Sequence, residues 1–240
     1  MAAGGPKHLK SGSECPSLKE NHLRLYGMRF CPFVQRTKLV MAAKGISYEE
    51  IYINLADPPE WYLKKNPSGQ VPSLEWIDAN TKQTALVPES LIICDYLDEK
   101  YPEHRLHPLD PYLKAKQRVL VDRMGNATYA YYTVIKGQDV ANAIKDLNES
   151  LVLFEQTLEN TFFGGSTPAM IDYMIWPWFE RFPFLHEAGY VFNADGKFPK
   201  LAAWIKAMEA TNIVKQVKVP EAAMKKFMDS FRSGKTEYDV

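Results

Sequence analysis

The chain has 240 residues, 46% hydrophobic and 24% charged, with 29 basic and 29 acidic side chains. That length favours two small domains over one large one, and a formal net charge of zero gives no electrostatic pull toward nucleic acid or an anionic membrane. The three cysteines, Cys15, Cys31 and Cys94, are odd in number and irregularly spaced, which is neither a disulfide framework nor a zinc site, so a reducing, cytoplasmic setting is expected.

From the N-terminus, Met1 to Ser17 is polar and lacks the apolar core of a secretory signal. His22 to Met28 alternates, with Leu23 and Leu25 on one side and Arg24 and Tyr26 on the other, which predicts a strand. Cys31-Pro32 follows, then a helix from Phe33 to Lys44 with Pro32 at its first position and Gly45 as its stop. Tyr48 to Asn54 is β-rich, so the opening is strand, helix, strand, and predicts a parallel pair. A short helix near Trp61 to Lys65 comes next. A hairpin over 71–76 and 84–87 then turns at Asp78, Ala79 and Asn80, and Pro88-Glu89-Ser90 starts a helix reaching Tyr101. The order βαβαββα predicts a mixed sheet in one α/β domain.

Pro102, Pro108 and Pro111 mark a linker, and beyond it only helices are expected. Val140, Ile144, Leu147, Leu151, Phe154 and Leu158 form a stripe at spacings of three and four, as do Leu201, Trp204, Ile205 and Met208, and again Met224, Phe227, Met228 and Phe231. Ala169 to Leu185 is apolar on most sides and is expected to be one central buried helix despite Pro177. No stretch approaches the ~18 consecutive apolar residues of a membrane span. The histidines show no metal spacing, so no metal is expected.

The chemistry concentrates at Cys31, between a strand and a helix. A helix N-terminus carries roughly half a positive charge and free N–H groups, and thiols so placed have pKa values lowered to about 3.5–7.5. Position 34 is Val, not the second cysteine of a dithiol motif. Such an enzyme cannot resolve its own mixed disulfide from that position and needs an external thiol, for which glutathione is the cellular candidate. Cys94 falls on the core side of its helix with Ile93 and Leu97, and neither it nor Cys15 is assigned any chemistry.

Five runs carry a family resemblance: Arg29-Phe30-Cys31-Pro32-Phe33; Asn66-Pro67-Ser68-Gly69-Gln70-Val71-Pro72; Glu89-Ser90 followed by Tyr96-Leu97-Asp98-Glu99; Phe162-Phe163-Gly164-Gly165; and Ile171-Asp172-Tyr173-Met174-Ile175-Trp176-Pro177-Trp178-Phe179-Glu180-Arg181. Together they resemble omega-class glutathione transferases, insect members among them, over nearly all of residues 22–232. The resemblance implies the glutathione transferase fold: a polar N-terminal extension over 1–21, an α/β thioredoxin-like glutathione-binding domain over 22–101, a linker over 102–110 and an all-α domain over 111–240. It implies Cys31 as the catalytic residue, glutathione as cosubstrate, and glutathione contacts from Phe33, Leu55, Val71, Pro72, Glu89 and Ser90. Val71 would pair its backbone with the cysteinyl backbone of glutathione ahead of a cis bond to Pro72, Glu89 would meet the ammonium, and Ser90 the γ-glutamyl carboxylate. Trp178, Arg181 and Phe231 would line a pocket for a small electrophilic or disulfide second substrate. Dehydroascorbate, methylated arsenic acids and, as in one insect member, a pyruvoyl-pterin are the implied substrates, and a homodimer the implied assembly.

Two positions depart from the family pattern. Pro58 replaces a Lys that helps hold the glycyl carboxylate, a contact that Lys64 or Lys65 is expected to replace. Ala169 replaces the Ser or Thr three residues before Asp172, so the cap is expected to shift upstream to Thr167-Pro168. A chloride intracellular channel-like, membrane-inserting protein shares the Cys-Pro-Phe helix start, but Lys38 and Lys44 in the first helix argue against it.

Overall fold

A computed structural model describes residues 7–20 and 22–240; positions 1–6 and 21 of the expected extension lie outside the described residues. The chain forms two compact units, one running to His104 and taking in Val219–Val240, the other Arg105–Lys218.

In the first unit the order is β1 (Arg24–Gly27), α1 (Pro32–Ala43), β2 (Glu49–Tyr52), α2 (Glu60–Lys65), β3 (Ser73–Ile77), β4 (Thr84–Pro88) and α3 (Ser90–Lys100). This is the expected βαβαββα. The sheet runs β2-β1-β3-β4, with β1 and β2 parallel and the other neighbours antiparallel. A four-stranded mixed sheet with a βαβ start is the thioredoxin-like arrangement. The α1 face that packs inward, Val34, Leu39, Val40 and Met41, and the α3 face, Ile93, Cys94 and Leu97, are buried. Lys44 at the end of α1 crosses to α3, donating from Nζ to Asp98 at 2.8 Å and to the Glu103 and His104 carbonyls. Lys38 pairs with Glu50 at 3.0 Å.

The extension is part of this unit. Leu9 bridges to Ile53 in parallel, donating to the Tyr52 carbonyl at 2.8 Å and accepting from Asn54 at 2.9 Å, which covers part of the β2 edge. Arg24, fully buried, reaches the Pro16 and Ser17 carbonyls at 2.7 and 2.6 Å and pairs with Glu49.

The second unit holds α4 (Pro111–Ile135), α5 (Val140–Thr157), α6 (Met170–Phe179), α7 (Pro199–Ala210) and α8 (Asn212–Val217). Asp110 caps α4 by accepting from the Leu113 N–H at 2.8 Å, and Pro111 takes the first helical position. The stripe of α5 buries Ala143, Leu147, Leu151 and Phe154.

Three expectations are corrected. The apolar segment 169–185 is not one helix: α6 ends at Phe179 and a 3-10 turn covers Phe182–Ala188. Pro183 lacks an N–H and disfavours helix at the residue before it. The N-cap of α6 is Ala169, not Thr167. Alanine has no acceptor, so Asp172 reaches back instead, its Oδ2 accepting from the Ala169 and Gly164 N–H groups, both at 2.9 Å. Its Oδ1 accepts from the Phe163 N–H at 2.9 Å and from Trp204 Nε1 at 2.8 Å. Gly164 is required there, because a Cβ would lie 2.3 Å from the Ala169 Cβ. Finally, the helical domain does not run to 240. The last helix, α9 (Glu221–Arg232), and the tail pack with the first unit. The apolar face of α9 finds its partner there: Phe227 stacks on Phe30 with centroids 4.3 Å apart.

Candidate active site

The register of the sheet explains why residues far apart in sequence meet. Tyr26 of β1 pairs with Ser73 of β3, and Ser73 with Pro88 of β4, while Gly27 pairs with Tyr52 of β2. The chain therefore leaves β1 toward Cys31, leaves β2 toward Leu55, enters β3 from Val71-Pro72 and leaves β4 toward Glu89-Ser90, all at one end of the sheet. Five of the seven residues expected to handle the thiol and glutathione lie on these connections, and Phe33 and Ser90, in the first turns of α1 and α3, follow directly. Gly27 allows the tight start, since a Cβ there would meet Val34 Cγ1 at 2.9 Å.

Cys31 is the N-cap of α1, in extended backbone, and its carbonyl accepts the Gln35 N–H at 3.1 Å. It is reduced and 7% exposed. Its own N–H donates to the Met28 carbonyl at 3.0 Å, which closes the turn out of β1. Pro32 at the first helical position completes the geometry read from the sequence.

The Val71–Pro72 bond is cis. The loop before it is held by a buried polar cluster that the sequence reading did not single out. Tyr62 Oη donates to the Gln70 carbonyl at 2.6 Å, and Asn66 Nδ2 donates to the same carbonyl at 2.9 Å and to Ser73 Oγ at 3.0 Å. Burial pushes the Tyr62 hydroxyl pKa up, Ser73 and Asn66 oppose this, and the charge of the nearby Cys31 sulfur adds to it. Tyr62 is therefore a neutral donor. The signal in the sequence was Asn66, which opens the quoted run yet received no role.

Glu89 is the N-cap of α3 with φ of 72°, a left-handed conformation that costs a non-glycine residue of order 1–3 kcal/mol. Its side chain is exposed, while Ser90 is buried. Arg36 Nη1 donates to Ser90 Oγ at 3.4 Å from α1. A guanidinium has no acceptor, so Ser90 Oγ accepts from it and the hydroxyl proton is directed elsewhere. An Arg on the buried face of α1 was the available signal, and it was not used.

Phe33 and Leu55 are half-buried. Phe231 is half-buried on α9 and stacks with Phe227, which itself stacks on Phe30, so an aromatic ladder runs beside the Cys31 turn. Arg29 in that turn donates its N–H to His8 Nε2 at 3.2 Å and its guanidinium to the Val240 carbonyl at 3.0 Å. The ring proton of His8 then sits on Nδ1 and meets Asp239 at 2.8 Å. Trp178 and Arg181 belong to the second unit. Trp178 is fully buried, and Arg181, 2% exposed, donates to the Pro177 carbonyl at 2.5 Å and lies 3.7 Å from Glu180. Neither lies on the connections that gather at the sheet end.

Lys65 does not stand in for the cation missing at Pro58, because its Nζ is paired with the buried carboxylate of Glu75. Lys64 is exposed. Among the described residues no cluster of His, Cys, Asp and Glu is arranged to hold a metal, and no helix is long and apolar enough to cross a membrane.

Residues 25–105 match the glutathione S-transferase N-terminal domain and residues 137–207 the glutathione S-transferase C-terminal domain. Pyrimidodiazepine synthase of Drosophila melanogaster is 38% identical over 240 residues, covering 98% of this chain and 96% of that protein. Glutathione S-transferase omega-1 of Mus musculus is 36% identical over 237 residues, covering 96% and 95%. Among solved structures, glutathione transferase Omega 3C from Trametes versicolor superposes with a TM-score of 0.74 at 27% identity, covering 85% of this chain and 91% of that one.

Proposed function

The chain belongs to the omega class of the glutathione S-transferase family, and from that premise we propose that it catalyses glutathione-dependent thiol transfer and reduction with Cys31 as nucleophile. The observation that carries this reading is the gathering of the Cys31 N-cap, the cis Val71–Pro72 bond and the strained Glu89-Ser90 helix start at one end of the sheet. A thiolate at a helix N-terminus is stabilised by the helix dipole. Two such termini converge here, one for the sulfur and one for a carboxylate.

Glutathione lies with its cysteinyl backbone against Val71 and Pro72, its ammonium on Glu89 and its γ-glutamyl carboxylate on Ser90 and the first turn of α3. Phe33 and Leu55 flank it. The Cys31 thiolate attacks the glutathionyl sulfur of a mixed disulfide. The bond to the substrate sulfur breaks, and the substrate leaves as a thiolate that takes a proton from water. A second glutathione thiolate then attacks the Cys31–glutathione disulfide, releasing oxidised glutathione and restoring Cys31. Val34 is why the second step falls to an external thiol. The aromatic ladder ending at Phe231 offers the second substrate an apolar approach within this unit. Three free cysteines support a reducing, cytoplasmic setting.

A second reading within the family is favoured by the 38% identity to pyrimidodiazepine synthase over almost the whole chain: the physiological substrate is a pterin rather than a disulfide or dehydroascorbate. A turnover panel of hydroxyethyl disulfide, dehydroascorbate and the pterin, each with glutathione, tests both. Thiol transfer is supported by glutathione-dependent turnover of the disulfide that Cys31→Ala abolishes, and is overturned if that variant keeps the wild-type rate. The pterin reading requires that substrate to give the highest kcat/KM of the three.

A further inference from the structure

Resting on the reading of Cys31 as the nucleophile, we propose that His8 is a positioning residue for the turn that carries it, and that it holds the turn only as a neutral imidazole, so that one proton on a buried ring loosens the nucleophile.

The turn from Met28 to Cys31 is fastened at both residues that precede the thiol. The Arg29 N–H donates to His8 Nε2 at 3.2 Å, and the Arg29 guanidinium donates to the Val240 carbonyl at 3.0 Å. Phe30 stacks on Phe227 of α9. His8 is itself pinned. Its neighbour Leu9 is bonded to Tyr52 and Asn54 along the β2 edge. Its own N–H and its ring Nδ1 both meet Asp239 Oδ1 at 2.8 Å. The buried ring stacks on Tyr52 at 5.0 Å and lies 5.4 Å from the Tyr238 ring. The N-terminal segment and the C-terminal tail therefore meet at one imidazole, directly behind the Cys31 turn.

An imidazole nitrogen accepts only when it carries no proton. Asp239 takes the Nδ1 proton, which leaves the Nε2 lone pair for Arg29. A second proton, on Nε2, sets a donor against the Arg29 donor and the bond is lost. The charged and titratable groups that face the ring are Asp239 and Tyr238 from the tail, Tyr52 and Glu50 from β2 and Arg29 from the turn, with Lys7 beside Asp239. Burial, helped by the Arg29 cation, holds the His8 pKa below the ordinary 6.5 against the pull of Asp239 and Glu50. Burial also works to raise the Asp239 carboxyl, but its two bonds from His8 keep it below the ordinary 3.8, so it is ionised where His8 titrates. Burial pushes the Tyr52 and Tyr238 hydroxyls up, and both stay neutral. With a lowered histidine pKa, the contact is intact above 6.5 and is lost as the pH falls through the folded-state value.

Two measurements on the full chain test this. First, NMR follows the His8 ring resonances and the Arg29 amide from about pH 8 to about pH 5 without glutathione. Both should move with one midpoint below 6.5. In His8→Gln, whose Oε1 accepts but does not titrate, the Arg29 amide should stay in place. Second, glutathione-dependent turnover of hydroxyethyl disulfide is compared among variants. At about pH 7.5, His8→Ala should lower kcat by about 2- to 12-fold, as one lost hydrogen bond provides. KM for glutathione should hold, because Val71, Glu89 and Ser90 lie on other connections. His8→Gln should match wild type at that pH and exceed it by a factor approaching the same range as the pH falls through the His8 midpoint. The ratio at each pH cancels the ionisation of glutathione itself. An Arg29 amide indifferent to the His8 titration, a His8→Gln variant as impaired as His8→Ala, or parallel pH profiles for His8→Gln and wild type would overturn the role. Turnover retained by Cys31→Ala would instead remove the thiol-transfer reading, while the amide titration still decides the His8 contact.

Discussion

Cys31 and Cys94 are both buried by area, yet their surroundings differ in kind. Cys94 lies fully buried in the core face of α3, where burial pushes its thiol up to about 12. It therefore stays protonated and inert at any physiological pH. Cys31 sits at a helix N-terminus, where the dipole favours the anion. Titration of the native chain with a coloured disulfide reagent should count two thiols, Cys31 and the exposed Cys15, and a third only after denaturation; three in the native state would contradict the assignment. Pro58 is the other informative residue. Lys65 is occupied by Glu75; with glutathione placed as proposed, Pro58→Lys adds a cation at its glycyl end and should tighten glutathione binding. An exposed ion pair is worth ~0–1 kcal/mol, so the gain should stay below about tenfold. Calorimetry showing unchanged or weaker binding would argue against the placement of glutathione.

Among the elements, α6 shows how one carboxylate replaces a missing cap. Asp172 is fully buried and accepts from four donors, three backbone N–H groups and the Trp204 indole. Burial pushes its pKa up, and the donors pull against that. Asp172→Asn would place an NH₂ group against some of those N–H donors. Unsatisfied buried donors cost about 1–3 kcal/mol each, so unfolding stability should fall by at least about 2 kcal/mol; a urea midpoint equal to wild type would refute the role. This cap was half legible. The Ala169 departure and the Asp172 spacing were visible in the sequence, but the acceptor's reach to Gly164 and Trp204 depends on tertiary packing. The elements of the first unit were read in order because each has a local signal: alternation in β1, Pro32 and Gly45 around α1, the Asp78 turn. The break at Phe179 was missed because apolarity around the whole of 169–185 masked Pro183. The placement of α9 was missed because an amphipathic stripe tells that a face is buried, not against which unit.

At the scale of the whole molecule, the candidate site was largely legible because its pieces sit in short runs beside strand ends, and the sheet register collects such ends automatically. What stayed hidden was the support: Arg36 and His8 act through contacts made by chain segments far apart in sequence, and Tyr62 through a buried polar cluster closed by the fold of its own loop. Large apolar side chains remain exposed on α3 and α4, among them Ile92, Tyr112 and Tyr129, which supports the proposed homodimer. Sedimentation at micromolar concentration should give a species of twice the 27.4 kDa chain mass; a single monomer species would sink the proposal. The central claim, that Cys31 works as a lone thiol resolved by glutathione, is tested most directly by intact-mass analysis after treatment with oxidised glutathione. The chain should gain one glutathionyl group that maps to the Cys31 peptide and is absent from Cys31→Ala. A label on Cys94, or an internal disulfide in place of the adduct, would contradict the mechanism.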